Sequence, residues 1–301
     1  PSLRDWAFEK TQDLRLFDEE SLWDTCECKN LVYKDDLLKN LSVCPNCGFH
    51  HKLNSEERFK VFFDDNQYEI IKTPIPKDDP LKFQDNKKYS DRLKTARKIT
   101  QQDDAVSIAK GKVKNIDVIV GAQDFRFIGG SFGAASGEAF IAGVQHSIEN
   151  NIPFIFFSCS GGQRMMESSI ALMQMSRTVL AVNELKKKNI PYIVVLADPT
   201  TGGVTASWAM LGDILIAEPK ATIGFAGRRV IEGTVKEELP ENFQKSEHVQ
   251  ACGFVDAIIQ RKDLPEKIGI LLSILLKKQS EVKIEHADKT SEDNIENREA
   301  S

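Results

Sequence analysis

The stretch NIPFIFFSCSGGQRMMESS, residues 151–169, decides the fold, because a second stretch of the chain repeats its pattern. NIPYIVVLADPTTGGVTAS, residues 189–207, again places Asn-Ile-Pro before an apolar run and Gly-Gly after it. Short runs that are apolar throughout are typical of strands buried on both faces. Each stretch therefore predicts a buried strand that ends at Gly-Gly and passes into a helix. We call the two Gly-Gly turns the first and second glycine elbows.

The first elbow contains Gly161 and Gly162, and the second contains Gly202 and Gly203. Glycine lets a substrate approach the backbone closely, and a strand that turns into a helix exposes N–H groups at the positive end of the helix dipole. Two matching elbows can aim such donors at one oxyanion without help from side chains. Simple packing of helix on strand is the alternative, and a single elbow would favour it.

Ser160, at the end of the first predicted strand, is a rival candidate as a nucleophile. The Gly-x-Ser-x-Gly motif of hydrolases is absent, because a serine stands at its first position. The candidate bases are His146 and His248, and no acid stands at a suggestive spacing from them. Cys159 and Cys252 are expected to be core residues rather than nucleophiles.

A third glycine-rich loop contains Gly129, Gly130 and Gly133 and follows the strand-like segment DFRFI. Such a loop can wrap a phosphate or a thioester, or it can be only a tight turn. Upstream, residues 86–98 carry six Lys or Arg and one Asp, and a solvated helix face is the preferred interpretation of this segment. The candidates to meet phosphates there are Lys87, Lys88, Arg92, Lys94 and Lys98.

Four of the six cysteines lie within 22 residues, as Cys26-x-Cys28, fifteen residues, and Cys44-Pro-Asn-Cys47-Gly. Because the sequence shows no export signal, this clustering indicates a metal site rather than disulfides. Four thiolates suit a tetrahedral Zn²⁺ ion, and Gly48 lets the second knuckle turn back on itself. Four buried cysteines without a metal are the alternative.

His50 and His51 follow the second knuckle, and either one is an alternative to Cys26 as a zinc ligand. Otherwise both histidines are expected at the surface. Residues 26–60 contain six bases and five acids, and four thiolates on one Zn²⁺ add a further charge of −2. A nucleic acid is therefore not expected as a partner of this segment.

The net charge of −5, from 40 basic and 45 acidic residues, is placed unevenly. Residues 279–301 hold seven acids and three bases without an aromatic residue, which predicts a disordered acidic tail. The other 278 residues are nearly neutral and have an ordinary globular composition, which excludes collagen, a coiled coil and wholesale disorder. No run of apolar residues approaches the ~20 that a membrane-spanning helix needs.

Four parts of the chain follow from these patterns: an N-terminal segment (1–21), a zinc ribbon (22–52), a larger domain (53–278) and the acidic tail (279–301). The larger domain opens with a helix, a Pro- and Asp-rich loop at 73–80 and a second helix. Strands are predicted at 113–122, 153–158, 191–197 and 213–217, with helical stretches between most of them. This alternation predicts an α/β fold.

Over about residues 22–278 the chain resembles the β-subunit family of the carboxyltransferase of bacterial acetyl-CoA carboxylase. The strand, Gly-Gly and helix pattern also resembles the wider crotonase-like superfold. The segments that carry the resemblance are LWDTCECKNLVYKDDLLKNLSVCPNCGFHH (22–51), YSDRLKTARKIT (89–100), DFRFIGGSFG (124–133), SCSGGQRMME (158–167), LMQM (172–175), DPTTGGVTASWAMLGDILIAEPKATIGFAGRRVIE (198–232) and LPENFQKSEHVQACGFVD (239–256).

This resemblance implies a crotonase-like β-β-α spiral superhelix with an N-terminal four-cysteine zinc ribbon. It implies an enzyme of fatty-acid synthesis that moves a carboxyl group from carboxybiotin to acetyl-CoA, giving malonyl-CoA. The implied partners are a homologous α subunit in an α₂β₂ assembly, a biotin carboxyl carrier protein and biotin carboxylase. The whole complex would use ATP in the cytoplasm, and this chain would be active only with the α subunit.

The same resemblance suggests roles for the glycine-rich segments. We expect the amides of Gly161 and Gly162 to hold the oxygen of a thioester enolate, with Gly202 and Gly203 as second candidates. We expect Arg164 to steady the anionic site or to pair with Glu167. The other residues expected to bind substrate are Gly129, Gly130, Gly133, Lys87 and Arg92.

Three positions depart from the family pattern. Thr25 stands where the first cysteine is expected, so the first knuckle is Cys-x-Cys instead of Cys-x-x-Cys. Gln163 replaces the usual alanine after Gly-Gly, and Ser168 replaces the usual glycine after Glu167. Cys26 is still expected to reach the metal, by a shifted turn.

Two further hypotheses remain. A stand-alone crotonase-like hydratase or thioester hydrolase would need a carboxylate base near the elbows, for which Glu138 and Glu167 are the candidates. A non-catalytic zinc-ribbon module that binds nucleic acid or regulates a partner would leave both elbows unexplained.

Overall fold

The computed structural model describes residues 22–236 and 238–277. The predicted N-terminal segment and acidic tail lie outside the described residues. The described chain begins with a small unit in which β1 (Trp23–Thr25) and β2 (Leu31–Tyr33) form an antiparallel hairpin, followed by α1 (Lys34–Lys39). This unit has a core of its own, made by Cys26, Val32, Leu37 and Cys44.

An eight-stranded sheet forms the centre of the larger domain. The strands are β3 (Tyr68–Ile71), β4 (Val106–Val113), β5 (Ile116–Gln123), β6 (Phe154–Ser160), β7 (Tyr192–Thr201), β8 (Ile214–Ala217), β9 (Ile223–Gly224) and β10 (Ala257–Ile258). Their order across the sheet is β10-β8-β7-β6-β5-β4-β3, and β9 pairs with β7. Strands β3, β4 and β5 are antiparallel to one another, and the remaining pairs are parallel.

Helices cover both faces of this sheet, which is why β6 is buried along its whole length. Successive side chains of a strand point to opposite faces, so Phe154 and Phe156 enter one core while Ile155 and Phe157 enter the other. The described helices are α2 (Ser55–Phe62), α3 (Tyr89–Thr100), α4 (Ala134–Asn150), α5 (Ser169–Lys187), α6 (Arg228–Val235), α7 (Ser246–Ala251) and α8 (Leu264–Leu275).

The repeated Asn-Ile-Pro has a structural cause. Asn151 and Asn189 both have positive φ, 53° and 55°, and each follows a long helix. Asparagine tolerates this left-handed conformation better than most residues. Each asparagine therefore ends a helix and turns the chain into the next buried strand.

The α/β prediction is confirmed, and the structure corrects three of its details. The segment 113–122 is not one strand, because Lys114 and Asn115 have φ of 49° and 62° and form the tight turn between β4 and β5. After the second elbow the chain forms only turns and a 3₁₀ segment at Trp208–Met210, not the predicted helix. After the first elbow the helix begins at Ser169, so no helix dipole points at Gly162.

Candidate active site and zinc site

The two glycine elbows lie against each other, because they end the neighbouring parallel strands β6 and β7. A Cβ atom added to Gly202 would lie 3.0 Å from the Cα of Gly162, and one added to Gly162 would lie 3.4 Å from the Cα of Gly202. Both residues have positive φ, +117° at Gly162 and +66° at Gly202. Only glycine allows two backbones to approach this closely in these conformations.

Both amides of the first elbow already have acceptors within the chain. The Gly161 N–H donates to the carbonyl oxygen of Gly129 at 2.9 Å. The Gly162 N–H donates to the hydroxyl oxygen of Ser160 at 3.0 Å. Either amide can therefore bind a substrate oxygen only by giving up an internal hydrogen bond.

The second elbow differs in this respect. The Gly202 N–H donates to the carbonyl oxygens of Gly224 and Phe225, at 3.2 and 3.0 Å. The Gly203 N–H has no acceptor within the part of the chain that the structure describes. Of the four amides predicted as oxyanion donors, that of Gly203 is the one without an internal acceptor in the described chain, and the residue is buried beneath the Gln163 side chain.

The third glycine loop packs beneath the first elbow. The Phe132 N–H donates to the carbonyl of Gly162 at 2.8 Å, and the Arg164 N–H donates to the carbonyl of Phe132 at 2.9 Å. At the start of α4, the Ala134 N–H donates to Glu167 Oε2 at 2.6 Å. The carboxylate of Glu167 thus lies at the end of the loop that the sequence predicts could wrap a phosphate.

Arg164 lies in the interior, with 1% of its surface exposed. Its guanidinium makes two hydrogen bonds to the carboxylate of Asp104, at 2.5 and 2.8 Å, and lies 3.4 Å from Glu167 Oε1. Burial alone would lower the pKa of Arg164, but Asp104 outweighs this effect and raises it above the usual value. The predicted pair with Glu167 is present, and the guanidinium does not face solvent.

Gln163 packs across the second elbow, where its Cγ would lie 2.5 Å from a Cβ placed on Gly203. Its Nε2 donates to the carbonyl oxygen of Ala171 at 3.2 Å. Its Oε1 is buried and has no hydrogen-bond partner among the described residues. The side chain therefore connects the two elbows to α5 but leaves one acceptor unsatisfied.

The structure gives Ser160 no catalytic partner. This serine is fully buried, and its hydroxyl makes hydrogen bonds only to the backbone of Gly162 in the described chain. Cys159 is buried as predicted, and burial raises the pKa of its thiol to about 12. The prediction for Cys252 is wrong, because this residue is exposed on the turn after α7.

The basic segment forms the exposed face of α3, as its preferred interpretation required. Lys87, Lys88, Lys94 and Lys98 are exposed. Arg92 is engaged with Asp85 in an ion pair.

The four clustered cysteines meet in the small N-terminal unit. Their sulfur atoms all lie within 4.8 Å of one another, and those of Cys26 and Cys47 are 3.6 Å apart. Four sulfurs at about 2.3 Å from one Zn²⁺ would lie roughly 3.8 Å apart, so this cluster fits a tetrahedral zinc site. Burial would raise the pKa of Cys44, but the backbone N–H groups of Cys47 and Asn46 outweigh it and lower this pKa to about 7.

His50 does not replace Cys26, and the prediction that it lies at the surface is wrong. Its side chain is buried, with Nε2 2.9 Å from Gln260 Oε1 and Nδ1 3.7 Å from Glu218 Oε2. It thus faces the larger domain rather than the four sulfurs. His51 is half-buried, and burial lowers its pKa.

A buried charge cluster that the sequence did not reveal fixes the ribbon to the larger domain. Glu218 follows β8 and accepts hydrogen bonds from Arg58 at 2.5 Å and from Arg261 at 2.8 and 2.9 Å. Arg261 also donates to the ribbon carbonyls of Leu41, at 2.8 Å, and His51, at 2.9 Å. Burial would raise the pKa of Glu218, but the two arginines hold it well below its usual range.

Two cavities lie beside Asp104, the residue that pairs with Arg164. One of about 240 Å³ is lined in part by Tyr89, Ala134, Glu167 and Ile170. The other, of about 360 Å³, lies between β3, β4 and α4. Both include Asp104 in their walls, and neither includes an elbow glycine.

Comparison with known proteins gives two family matches. The carboxyl transferase domain family matches residues 83–296, and the acetyl-CoA carboxylase zinc finger domain matches residues 23–47. Two relatives share the description acetyl-coenzyme A carboxylase carboxyl transferase subunit beta. The protein from Pelagibacter ubique is 58% identical over 271 residues, which are 90% of this chain and 87% of the relative. The protein from Caulobacter vibrioides is 52% identical over 258 residues, 85% of this chain and 84% of the relative.

Solved structures support the fold. The transcarboxylase 12S structure aligns with a TM-score of 0.59 at 22% identity, over 74% of this chain and 40% of that one. A Pseudomonas malonate decarboxylase hetero-dimer aligns with a TM-score of 0.58 at 19% identity, over 74% of this chain and 86% of that one. In the described residues we find no helix with the length and apolar content for a membrane span. The chain belongs to the family of acetyl-CoA carboxylase carboxyl transferase β subunits.

Proposed function

We propose that this chain supplies the acetyl-CoA half of a shared active site, in which the carboxyl group of carboxybiotin is transferred to acetyl-CoA to give malonyl-CoA. The observation that carries the proposal is the contact between the two glycine elbows, Gly162 against Gly202. It brings the backbones of two strand ends to one point, where fixed donors can stabilise a developing negative charge.

The chemistry requires donors more than it requires a side-chain base. Loss of a proton from the methyl group of the thioester leaves an enolate, whose oxygen needs hydrogen-bond donors. Carboxybiotin, on a separate carrier protein, supplies the CO₂, and its ureido nitrogen accepts the methyl proton. The carboxylates near the elbows fit this scheme, since Glu167 is engaged by Tyr89 and Ala134, and Glu138 pairs with Arg177.

We propose that the Gly203 amide is the first donor to the enolate oxygen. It is the predicted donor without an internal acceptor in the described chain. A second donor from Gly161 or Gly162 would exchange its hydrogen bond to Gly129 or Ser160 for one to the substrate. Arg164 and the loop 129–133 act from below, by holding the first elbow in place.

The partner surface proposed for the α subunit is the exposed apolar face of α5. Its outward side chains, with Met165 beside the first elbow, are 40–81% exposed, while the opposite side of the helix is buried. A contiguous exposed apolar patch next to a site is typical of a subunit interface. The relatives are named β subunits, which also supports assembly with another subunit. The face consists of Met165, Leu172, Met173, Val179 and Leu180.

The remaining parts of the proposal concern the whole complex. We place one structural Zn²⁺ on Cys26, Cys28, Cys44 and Cys47, because these four sulfurs fit its geometry. We propose an α₂β₂ assembly that works in the cytoplasm with a biotin carboxyl carrier protein and an ATP-using biotin carboxylase. Lys87 and Arg92 remain candidates to meet the phosphates of CoA, and Arg92 would then exchange Asp85 for the ligand.

One assay tests the proposed function. The chain is mixed with its α partner, and carboxylation of free biotin by malonyl-CoA is measured, with acetyl-CoA as the other product. We expect activity from the pair and none from either chain alone. Absence of activity in the pair would refute the proposal, and so would full activity of this chain alone, which would favour a stand-alone crotonase-like enzyme.

A further inference from the structure

A buried cluster of Tyr89, Asp104, Arg164 and Glu167 lies beneath the first elbow. The side chains of Arg164, Asp104 and Glu167 are at most 8% exposed. Two carboxylates share one guanidinium, so the cluster carries a net charge of −1 if both are ionised. A buried charge of this kind needs further donors to be tolerated.

The second carboxylate, Glu167, finds those donors at two other elements. Tyr89, the first residue of α3, donates its hydroxyl to Glu167 Oε1 at 2.5 Å. Ala134, the first residue of α4, donates its N–H to Oε2 at 2.6 Å. The positive end of this 17-residue helix favours a carboxylate at that position. Glu167 thus joins two helices to the segment that follows the first elbow.

Arg164 connects the two carboxylates to the backbone of the third glycine loop. Its Nη2 donates to the carbonyl oxygen of Ser131 at 2.7 Å, and its Nε to the hydroxyl oxygen at 3.1 Å. The same loop makes the hydrogen bonds that hold Gly161 and Gly162, through Gly129 and Phe132. A displacement of the guanidinium would therefore move the loop and, with it, the elbow amides.

We propose that Tyr89 and Glu167 are positioning residues for the carboxyl transfer reaction. They act through Arg164 and the loop 129–133 and hold the first elbow at the distance from the second that the enolate requires. They do not contact substrate themselves. This inference rests on the proposed function of the elbows, because it assigns the cluster a role in that same site.

The deciding variant is Tyr89→Phe, which removes one hydroxyl and leaves the ring in place. We expect kcat of the complex with the α partner to fall about tenfold, since sub-ångström displacements of oxyanion donors have effects of this size. We expect KM for malonyl-CoA to stay within about twofold. Ser147→Ala is the matched control, because it also removes one hydrogen bond of a buried hydroxyl. Ser147 lies in α4 and donates to the carbonyl oxygen of Ile152, just before β6.

A second variant, Glu167→Gln, keeps the shape of the side chain but leaves one oxygen to serve two donors. We expect a loss of kcat at least as large as in Tyr89→Phe, again with KM nearly unchanged. Rates are expressed per folded protein, from a thermal melt of each variant, so that lost stability alone cannot produce the result.

The outcomes separate this inference from the proposed function. If the wild-type pair is inactive, the proposed function fails. If the wild-type pair is active and Tyr89→Phe has the same kcat per folded protein as Ser147→Ala, the positioning role is overturned. A rise in KM without a fall in kcat would also overturn it, because that result would mean direct contact with the substrate.

Discussion

At position 202 the backbone has φ of +66°, and an added Cβ would meet the Cα of Gly162 at 3.0 Å. Gly202→Ala therefore introduces backbone strain and a steric clash with the backbone of Gly162, which no side-chain rotation can relieve. We expect the two elbows to move apart and the carboxyl transfer rate to fall at least a hundredfold. The rate is measured with the α partner present.

Gly253→Ala is the control for this substitution. Gly253 has φ of +81°, so alanine at this position destabilises the folded chain by a similar conformational term, about 1–2 kcal/mol. Nothing lies within 4 Å of its added Cβ. If both variants lose activity equally, backbone strain and not the contact between elbows explains the loss.

Gln163 offers a test of stability at the same site. Gln163→Met keeps the length of the side chain, loses the hydrogen bond to Ala171 and removes the unsatisfied buried Oε1. An unsatisfied buried acceptor costs about 1–3 kcal/mol, and a hydrogen bond contributes about 1 kcal/mol. We expect the thermal midpoint to stay equal or to rise by about 2 °C, whereas Gln163→Glu should lower it. A fall of several degrees in Gln163→Met would show that Oε1 has a partner, such as an ordered water.

Among single residues, the sequence predicted those whose chemistry is local. The four cysteines and the elbow glycines were found because thiolates and Gly-Gly turns have recognisable spacing. The contacts of Arg164 with Asp104 and of Glu218 with Arg58 are not predictable in this way, because these partners lie 60 and 160 residues away along the chain. Residue type alone predicts a core position for Cys252, whereas its turn after α7 is exposed.

At the scale of elements, the zinc ribbon depends on four sulfurs from two knuckles. Cys28→Ser removes one thiolate, and we expect the zinc content of the purified chain to fall well below one ion per chain. Cys252→Ser is the matched control, since it removes an exposed cysteine that is not in the cluster. Equal zinc content in both variants would refute the assigned ligands.

The contact between the ribbon and the larger domain depends on Glu218 and predicts a pH effect. Its pKa is held below the usual value in the folded chain, so the folded state binds fewer protons than the unfolded state as the pH falls through the usual glutamate range. The stability that Glu218 contributes is present at neutral pH and is lost on acidification towards its folded pKa. Thermal midpoints measured from pH 7 to pH 3 should therefore fall more steeply in wild type than in Glu218→Gln. Parallel curves for the two proteins would contradict this account.

The order of elements was easier to predict than their ends. Long apolar runs such as 153–158 and 191–197 could be read as strands, because both faces of a parallel sheet are covered. The turn at Lys114 and Asn115 is not recognisable from the sequence, because it lies between two apolar segments and contains no glycine to mark it. The helix predicted after Gly203 does not form, and this difference has a tertiary cause. The Gly202 N–H donates to the carbonyl oxygen of Gly224 in β9, so the chain after β7 follows that strand.

At the scale of the whole molecule, the proposed function makes the site of this chain half of an active site. Neither of the two cavities beside Asp104 includes an elbow glycine in its wall. A second subunit that covers the elbows would exclude water and strengthen the hydrogen bonds to an enolate. The exposed apolar face begins at Met165, three residues after Gly162, and this position fits the proposed interface.

The last prediction concerns that face. Leu172 and Leu180 are 58% and 65% exposed on α5, so Leu172→Glu with Leu180→Glu should leave the fold intact while placing charges in the proposed interface. We expect the variant to elute from size-exclusion chromatography as a folded single chain in the presence of the α partner, and carboxyl transfer to be lost. Lys267→Glu is the matched control, because it changes the net charge by as much as the double variant does, at an exposed position of α8 on the opposite face of the sheet. A double variant that still assembles and keeps its activity would place the α subunit on another surface, whereas a variant that assembles without activity would assign the face to closing the site and not to affinity.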